Sequence, residues 1–123
     1  VLRPPTAGAG VRRAWADSRG RIWISEWNAG KVGMYDPRAR RWREWGVPGS
    51  SPMIYAVYVD DRDKVWLSDF GANALVRFDP VTERFTEVAL PSADAAVRQI
   101  LRRRSEIWGA ESGTDKLVVV VTG

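Results

Sequence analysis

Short apolar runs separated by polar or glycine-containing turns follow one another along most of the chain. Between residues 55 and 90, four runs rich in β-branched and aromatic residues are joined by the segments DRD, FGAN and PVTE. Such runs with an alternation near two predict β-strands, and the joining residues predict turns. The alternation does not fit the 3.6-residue period of a helix. We therefore predict four successive strands in this segment.

The same pattern occurs three times. Its copies are RIWISEWNAGKVGMYDP at 21–37, KVWLSDFGANALVRFDP at 64–80 and EIWGAESGTDKLVVVVT at 106–122. The tryptophans Trp23, Trp66 and Trp108 occupy equivalent positions, and the same alignment matches three acidic residues, which are Glu26, Asp69 and Glu111. Four strands in a unit of about 40 to 45 residues are typical of a β-propeller blade.

The predicted fold class is all-β, a β-propeller with about three four-stranded blades in the chain. We expect blade 1 at 11–48, blade 2 at 55–90, and blade 3 at 98–123 without its outer strand. Residues 1–5 would supply the outer strand of a neighbouring blade. Three blades cannot close a ring, since about four is the practical minimum. We therefore predict a homodimer that forms a six-bladed ring, with a piece of a longer single-chain propeller as the alternative.

Composition limits the chemistry of the chain. There is no cysteine and no histidine, so disulfides, thiolate catalysis and histidine general bases are excluded. The lack of cysteine weakly favours a reducing compartment such as the cytoplasm. No apolar run reaches eighteen residues, which argues against a membrane-spanning helix. Arginine runs at 38–43 and 102–104 contribute to a net charge of +4. No nucleic-acid-binding motif accompanies them, so a nucleic-acid partner is not expected.

The repeated segments resemble a known family. The stretches DSRGRIWISEWNAGKVGMYDP, DDRDKVWLSDFGANALVRFDP and IWGAESGTDKLVVVVTG are similar to the virginiamycin B lyase (streptogramin lyase) family over essentially the whole chain. The resemblance implies a propeller whose axial funnel opens a cyclic depsipeptide by elimination at its ester. It also implies a histidine at the start of an innermost strand, a glutamate after the second strand, and magnesium. The glutamate position corresponds to Glu111, whereas the histidine position falls at Arg98.

The arginine at the histidine position changes the expected chemistry. Elimination needs a base or acid poised near neutral pH, and arginine stays protonated there. Arg98 could stabilise negative charge but could not accept the proton. Glu111 remains the one catalytic candidate that the resemblance supplies. Magnesium, which the sequence itself does not require, would have three carboxylates as candidate ligands, which are Glu26, Asp69 and Glu111.

We expect the candidate ligand site at one rim of the funnel, where the second strand of each blade ends and the first strand begins. Antiparallel pairing there would place Arg12 near Glu26 and Arg98 near Glu111, in a ring of alternating acids and bases. The predicted ligand-binding residues are Arg12, Tyr55, Arg98, Glu26, Asp69, Trp27 and Phe70. The structural alternative is that the acids cap turns or pair with arginine. Ser25 and Ser68 are interpreted as structural hydroxyls.

Two functions remain open from the sequence. The favoured hypothesis is a propeller of unproven activity that binds a small polar ligand or peptide in its central funnel. The alternative is a magnesium-assisted lyase or lactonase that acts on a cyclic ester, which the absence of histidine disfavours.

Overall fold

The computed structural model describes residues 1–122, and these residues form β-strands joined by turns and loops. In chain order the strands are β1 (Val11–Ala16), β2 (Ile22–Glu26), β3 (Lys31–Asp36), β4 (Arg41–Gly46), β5 (Ile54–Val59), β6 (Val65–Asp69), β7 (Ala74–Asp79), β8 (Arg84–Ala89), β9 (Val97–Arg103), β10 (Glu106–Glu111) and β11 (Lys116–Val121). Within the described residues no helix is long and apolar enough to cross a membrane.

The strands form three antiparallel sheets in simple meander order. Blade 1 contains β1–β4, blade 2 contains β5–β8, and blade 3 contains β9–β11. The first strands lie side by side, because β1 packs against β5 and β5 packs against β9. They are therefore the inner strands of the arc, as expected for propeller blades. The predicted all-β class with about three blades is confirmed.

The hydrophobic core lies between the blades. Blades 1 and 2 enclose one cluster that includes Trp23, Val32, Met34, Val59 and Phe78. Blades 2 and 3 enclose a second cluster, which includes Trp66, Leu75, Ile100 and Ile107. Each sheet thus buries its apolar side chains against the next sheet, and this packing fixes the order of the blades.

The tryptophan of the second strand is held by an acid in the preceding turn. Trp23 Nε1 donates to Asp17 Oδ2 at 2.9 Å, and Trp66 Nε1 donates to Asp60 Oδ2 at the same distance. The second carboxylate oxygen of each aspartate accepts backbone N–H groups of its own turn. Blade 3 differs, since Trp108 Nε1 donates to Glu106 Oε1 at 3.3 Å. The equivalent positions suggest that all three tryptophans pack between blades; Trp23 and Trp66 do so, whereas Trp108 is half-buried on the outer face of blade 3.

The two outer flanks of the arc differ in how they are covered. On blade 3 the apolar side chains of one face are between 40% and 73% exposed, and these are Leu101, Leu117, Val119 and Val121. On blade 1 the segment 6–10 covers part of the flank, where Thr6 Oγ1 donates to Glu44 Oε1 at 2.8 Å. Residues 1–5 form no strand within this chain. Their predicted pairing with a neighbouring blade would involve other residues, and it stays a prediction.

Candidate functional site

A β-bulge at the start of each inner strand shapes one rim of the arc. In each blade two residues of the first strand lie opposite a single residue of the second strand. The paired sets are residues 12 and 13 opposite Ser25, residues 55 and 56 opposite Ser68, and residues 98 and 99 opposite Ala110. A bulge bends the strand and redirects its side chains. The rim therefore carries more side chains than a regular ladder would place there.

Serine hydroxyls satisfy the backbone groups that two of the bulges leave unpaired. Arg13 N donates to Ser25 Oγ at 3.0 Å, and Ala56 N donates to Ser68 Oγ at 2.9 Å. Ser25 Oγ also donates to Tyr55 O at 2.6 Å, which links blades 1 and 2. Both hydroxyls are buried and bonded to the backbone. They are structural groups rather than nucleophiles.

Three aromatic rings meet at this rim. Tyr55 and Phe70 are stacked, with centroids 5.4 Å apart and planes 23° apart. The Trp27 ring stands edge-on to both, at 5.0 Å from Phe70 and 5.7 Å from Tyr55. All three side chains are half-buried, so each keeps an exposed portion. The structure thus brings together three of the predicted ligand-binding residues.

Three arginines surround the aromatic rings. The guanidinium carbon of Arg13 lies 4.8 Å from the Tyr55 centroid, and its Nη2 donates to Tyr55 Oη at 3.2 Å. Arg12 lies 5.6 Å from the Trp27 centroid, and Arg98 lies 5.8 Å from that of Tyr55. Within residues 1–122 none of the three has a carboxylate oxygen within 4.0 Å. We call these three arginines and three aromatic residues the rim cluster.

The sequence prediction included Arg12 and Arg98 but missed Arg13. Equal spacing of the repeats assigned one residue of each inner strand to the rim, whereas the bulge places a second residue there. The consecutive arginines at 12 and 13 were the available signal, because two successive residues of a regular strand cannot both lie on its polar face.

The predicted ring of alternating acids and bases is not formed. Glu26, Asp69 and Glu111 are buried. On the backbone Glu26 pairs with Val11 rather than Arg12, and Glu111 pairs with Val97 rather than Arg98; Asp69 pairs with Ile54. Each acid directly follows the residue opposite the bulge, and successive residues of a strand face opposite sides of the sheet, so its side chain lies on the other face of the blade. No ion pair joins Arg12 to Glu26 or Arg98 to Glu111 among residues 1–122.

Two of these acids stabilise local turns. Asp69 Oδ1 accepts from Met53 N at 3.0 Å, from Gly71 N at 2.9 Å and from Ala72 N at 3.3 Å. Glu111 Oε1 accepts from Thr114 Oγ1 at 2.7 Å. The turn-capping alternative therefore describes them better than a ligand-binding role.

Glu26 is in a different environment. Its carboxyl lies over the backbone of Gly33, where a Cβ atom would be 2.5 Å from Glu26 Oε2. Neither oxygen receives a hydrogen bond from the residues of 1–122, and the carboxyl of Glu44 lies beside it. The pKa of Glu26 is raised to about 8, first by burial and then by hydrogen bonding with Glu44 and the charge of Glu44, against the opposing charge of Lys31. Two carboxyls can share a hydrogen bond only when one is protonated, and Glu26 is the protonated partner at neutral pH.

The residues do not fit the magnesium site that the resemblance implied. The three candidate ligands belong to three different blades, and the part of the chain that the structure describes contains no group of three acids able to hold a metal ion. Asp69 Oδ1 and Glu111 Oε1 accept hydrogen bonds from turn donors, and the Glu26 carboxyl is buried over the backbone of Gly33. A hard cation requires several ionised oxygens that converge.

Comparison with solved structures identifies the scaffold. A streptogramin B lyase structure aligns with a TM-score of 0.89 and 21% identity, over 95% of this chain and 39% of that one. The chain has a virginiamycin B lyase-like propeller fold. A catalytically inactive virginiamycin B lyase from Staphylococcus aureus with quinupristin aligns with a TM-score of 0.81 and 19% identity, over 94% of this chain and 42% of that one. A protein of unknown function from Bacteroides caccae aligns with a TM-score of 0.69 and 11% identity, over 92% of this chain and 46% of that one.

These likenesses show the lyase-like fold alone. No family model matches the chain, and no curated protein matches it. The chain spans about two fifths of the length of the solved lyases that it matches. At the position where the resemblance implied a histidine, Arg98 belongs to the rim cluster. Its Nη1 donates to Ser112 Oγ at 3.2 Å. Glu111, the position of the implied glutamate, is buried.

Proposed function

We propose that the protein is a binding module whose rim cluster holds a small polar ligand with a flat ring and a negative charge. The observation that carries the proposal is the meeting of three aromatic rings with three arginines that have no carboxylate partner within residues 1–122. In the sequence these residues are spread from position 12 to position 98, so they come together only in the folded arc.

The two kinds of side chain favour complementary parts of one ligand. Half-buried aromatic rings stack on flat groups, and such contacts contribute about 0.5 to 1.5 kcal/mol beyond the area that they bury. Arginine binds carboxylate or phosphate oxygens through paired N–H donors. An aromatic carboxylate, or a peptide that carries an aromatic and an acidic side chain, has both features.

The rim cluster lacks a group that the lyase reaction needs. Elimination beside an ester needs a group that accepts a proton near neutral pH. The rim cluster offers guanidinium groups and a tyrosine, and the chain has no histidine. A binding role uses the groups that are present, whereas the reaction requires one that is missing.

The proposal is tested by calorimetric titration with 2-naphthoate, which combines a flat ring and a carboxylate. We expect binding to the wild type. In Trp27→Leu and in Arg13→Gln the affinity should fall by about tenfold each, which is the effect of losing about 1.4 kcal/mol of binding free energy. The uncharged 2-naphthamide should bind the wild type more weakly than 2-naphthoate does, because it lacks the charge that the arginines recognise.

Matched controls are available on the outer strand of blade 1. Trp42→Leu and Arg41→Gln remove the same residue types from β4, which lies away from the inner strands. They should leave the affinity for 2-naphthoate unchanged. Equal affinities in the wild type and in both rim variants would rule out the rim cluster as the binding site.

A further inference from the structure

A second region with a different chemistry lies between blades 2 and 3, at the opposite end of the strands from the rim cluster. A cavity of about 320 Å³ opens there beside the turn between β9 and β10. Its lining includes five cationic side chains from both blades, which are Arg62, Lys64, Arg77, Arg102 and Arg104. We call it the inter-blade cavity.

Two of these arginines, Arg77 and Arg102, stand where the interface between blades 1 and 2 has apolar residues at the equivalent positions. Arg77 pairs with Trp66 as Met34 pairs with Trp23 in blade 1. Met34 is buried between blades 1 and 2. A methionine thus fills this position between blades 1 and 2, and an arginine occupies it between blades 2 and 3.

The facing position shows the same change. Arg102 pairs with Ile107 as Val59 pairs with Val65 in blade 2. Val59 is buried against blade 1 and contributes to the first core cluster. Arg102 is exposed at the margin of the interface, whereas Arg77 is half-buried, and a half-buried charge costs free energy that an apolar side chain would not. Two arginines on facing blades at such positions therefore point to a role other than packing.

The acids around the cavity do not balance its positive charge. Arg102 Nη1 lies 3.6 Å from the exposed Asp61 Oδ2, and Lys64 Nζ lies 2.9 Å from Asp79 Oδ2. Asp60 accepts hydrogen bonds from the amides of its turn and from an indole N–H.

The remaining three arginines are therefore in excess. Within residues 1–122, Arg62, Arg77 and Arg104 have no carboxylate oxygen within 4.0 Å. Arg77 is also half-buried. A half-buried cation without a counter-ion is stabilised by an anion that enters the cavity.

We propose that the inter-blade cavity binds a small oxyanion with two or more negative charges, such as a phosphate ester or pyrophosphate. Arginine presents paired donors that match phosphate oxygens, and the excess positive charge favours a multivalent anion over a monovalent one. The volume suits one phosphate-bearing small molecule. The proposal does not depend on the rim cluster.

The test is calorimetric titration with sodium pyrophosphate, at an ionic strength kept constant with sodium chloride. We expect saturable binding to the wild type. The double variant Arg77→Met with Arg102→Val installs the residues found at the equivalent apolar positions, and it should bind at least tenfold more weakly. Arg41→Met removes one positive charge from β4 and should bind as the wild type does. The double variant Arg12→Gln with Arg13→Gln should also bind normally, since it alters only the rim cluster.

A second variant covers the case in which the double variant does not fold. Arg62→Gln changes an exposed turn residue at the cavity, and its affinity for pyrophosphate should fall severalfold while its circular dichroism stays unchanged. The proposal is overturned if pyrophosphate does not bind the wild type. It is also overturned if the cavity variants bind as the wild type does, or if the rim double variant alone loses binding.

Discussion

Glu26 links the stability of blade 1 to pH. Its pKa is about 8 in the folded protein, against an ordinary value of 4.5. The folded state therefore holds one more proton than the unfolded state between about pH 4.5 and pH 8, and stability falls as the pH rises through this interval. Burial alone would raise the pKa of Glu44, but hydrogen bonds with Glu26 and Thr6 hold it below its ordinary value. The titration of Glu44 therefore affects stability in the acid range, where stability is lost as the pH falls.

We expect Glu26→Gln to remove the loss of stability above pH 4.5. Glutamine keeps the shape of the side chain but has no charge to bury. Because one pKa unit corresponds to about 1.4 kcal/mol, the variant should be more stable than the wild type by a few kcal/mol at about pH 9. At pH 4.5 the two should be nearly equal. Urea unfolding at several pH values measures the difference.

The control for this measurement is Glu87→Gln, at an exposed position of β8. It should follow the pH dependence of the wild type. If Glu26→Gln shows the same loss of stability between pH 4.5 and pH 9 as the wild type does, then Glu26 is not protonated in the folded protein.

At the scale of the strands, the bulges depend on buried hydroxyls. The N–H group of Ala56 is buried, and its acceptor is Ser68 Oγ at 2.9 Å. Ser68→Ala leaves this donor without an acceptor, which costs about 1 to 3 kcal/mol. We expect the midpoint of urea unfolding to fall by the corresponding amount, with an unchanged slope. Ser50→Ala, in the exposed loop between β4 and β5, should have no effect. Equal stability of Ser68→Ala and the wild type would show that water or another group replaces the hydroxyl.

The sequence predicted the strands better than the directions of their side chains. Alternating apolar residues and turn-forming segments located the blades, because these patterns follow directly from the period of a strand. The bulges insert one residue into each inner strand, and an alignment by constant spacing does not reveal this. For that reason Arg13 was missed, and Glu26 was expected to face Arg12. Arg77 was visible in principle, since the repeat aligns it with Met34, but its exposure to a cavity depends on the facing blade.

At the level of the whole molecule, the flank of blade 3 is a large exposed apolar surface. Leu117, Val119 and Val121 lie on the face of blade 3 that carries Trp108, and β11 forms the edge of its sheet. Burial of apolar area contributes about 25 cal/mol per Å², and an unpaired strand edge favours pairing with another strand. Closure of the funnel beside the rim cluster requires that other blades cover this flank.

We propose that a second copy of the chain covers it and completes a six-bladed ring. Sedimentation of the wild type should then give a mass of twice 13.8 kDa. Val119→Lys places a charge directly opposite Trp108 and should shift the protein to the monomer. Val81→Lys is the matched control, because Val81 is exposed in the turn between β7 and β8, away from the flank. A wild type that stays monomeric at every concentration would contradict the dimer. The flank would then be covered by further blades of a longer chain, and the rim cluster would bind its ligand in a single-chain funnel.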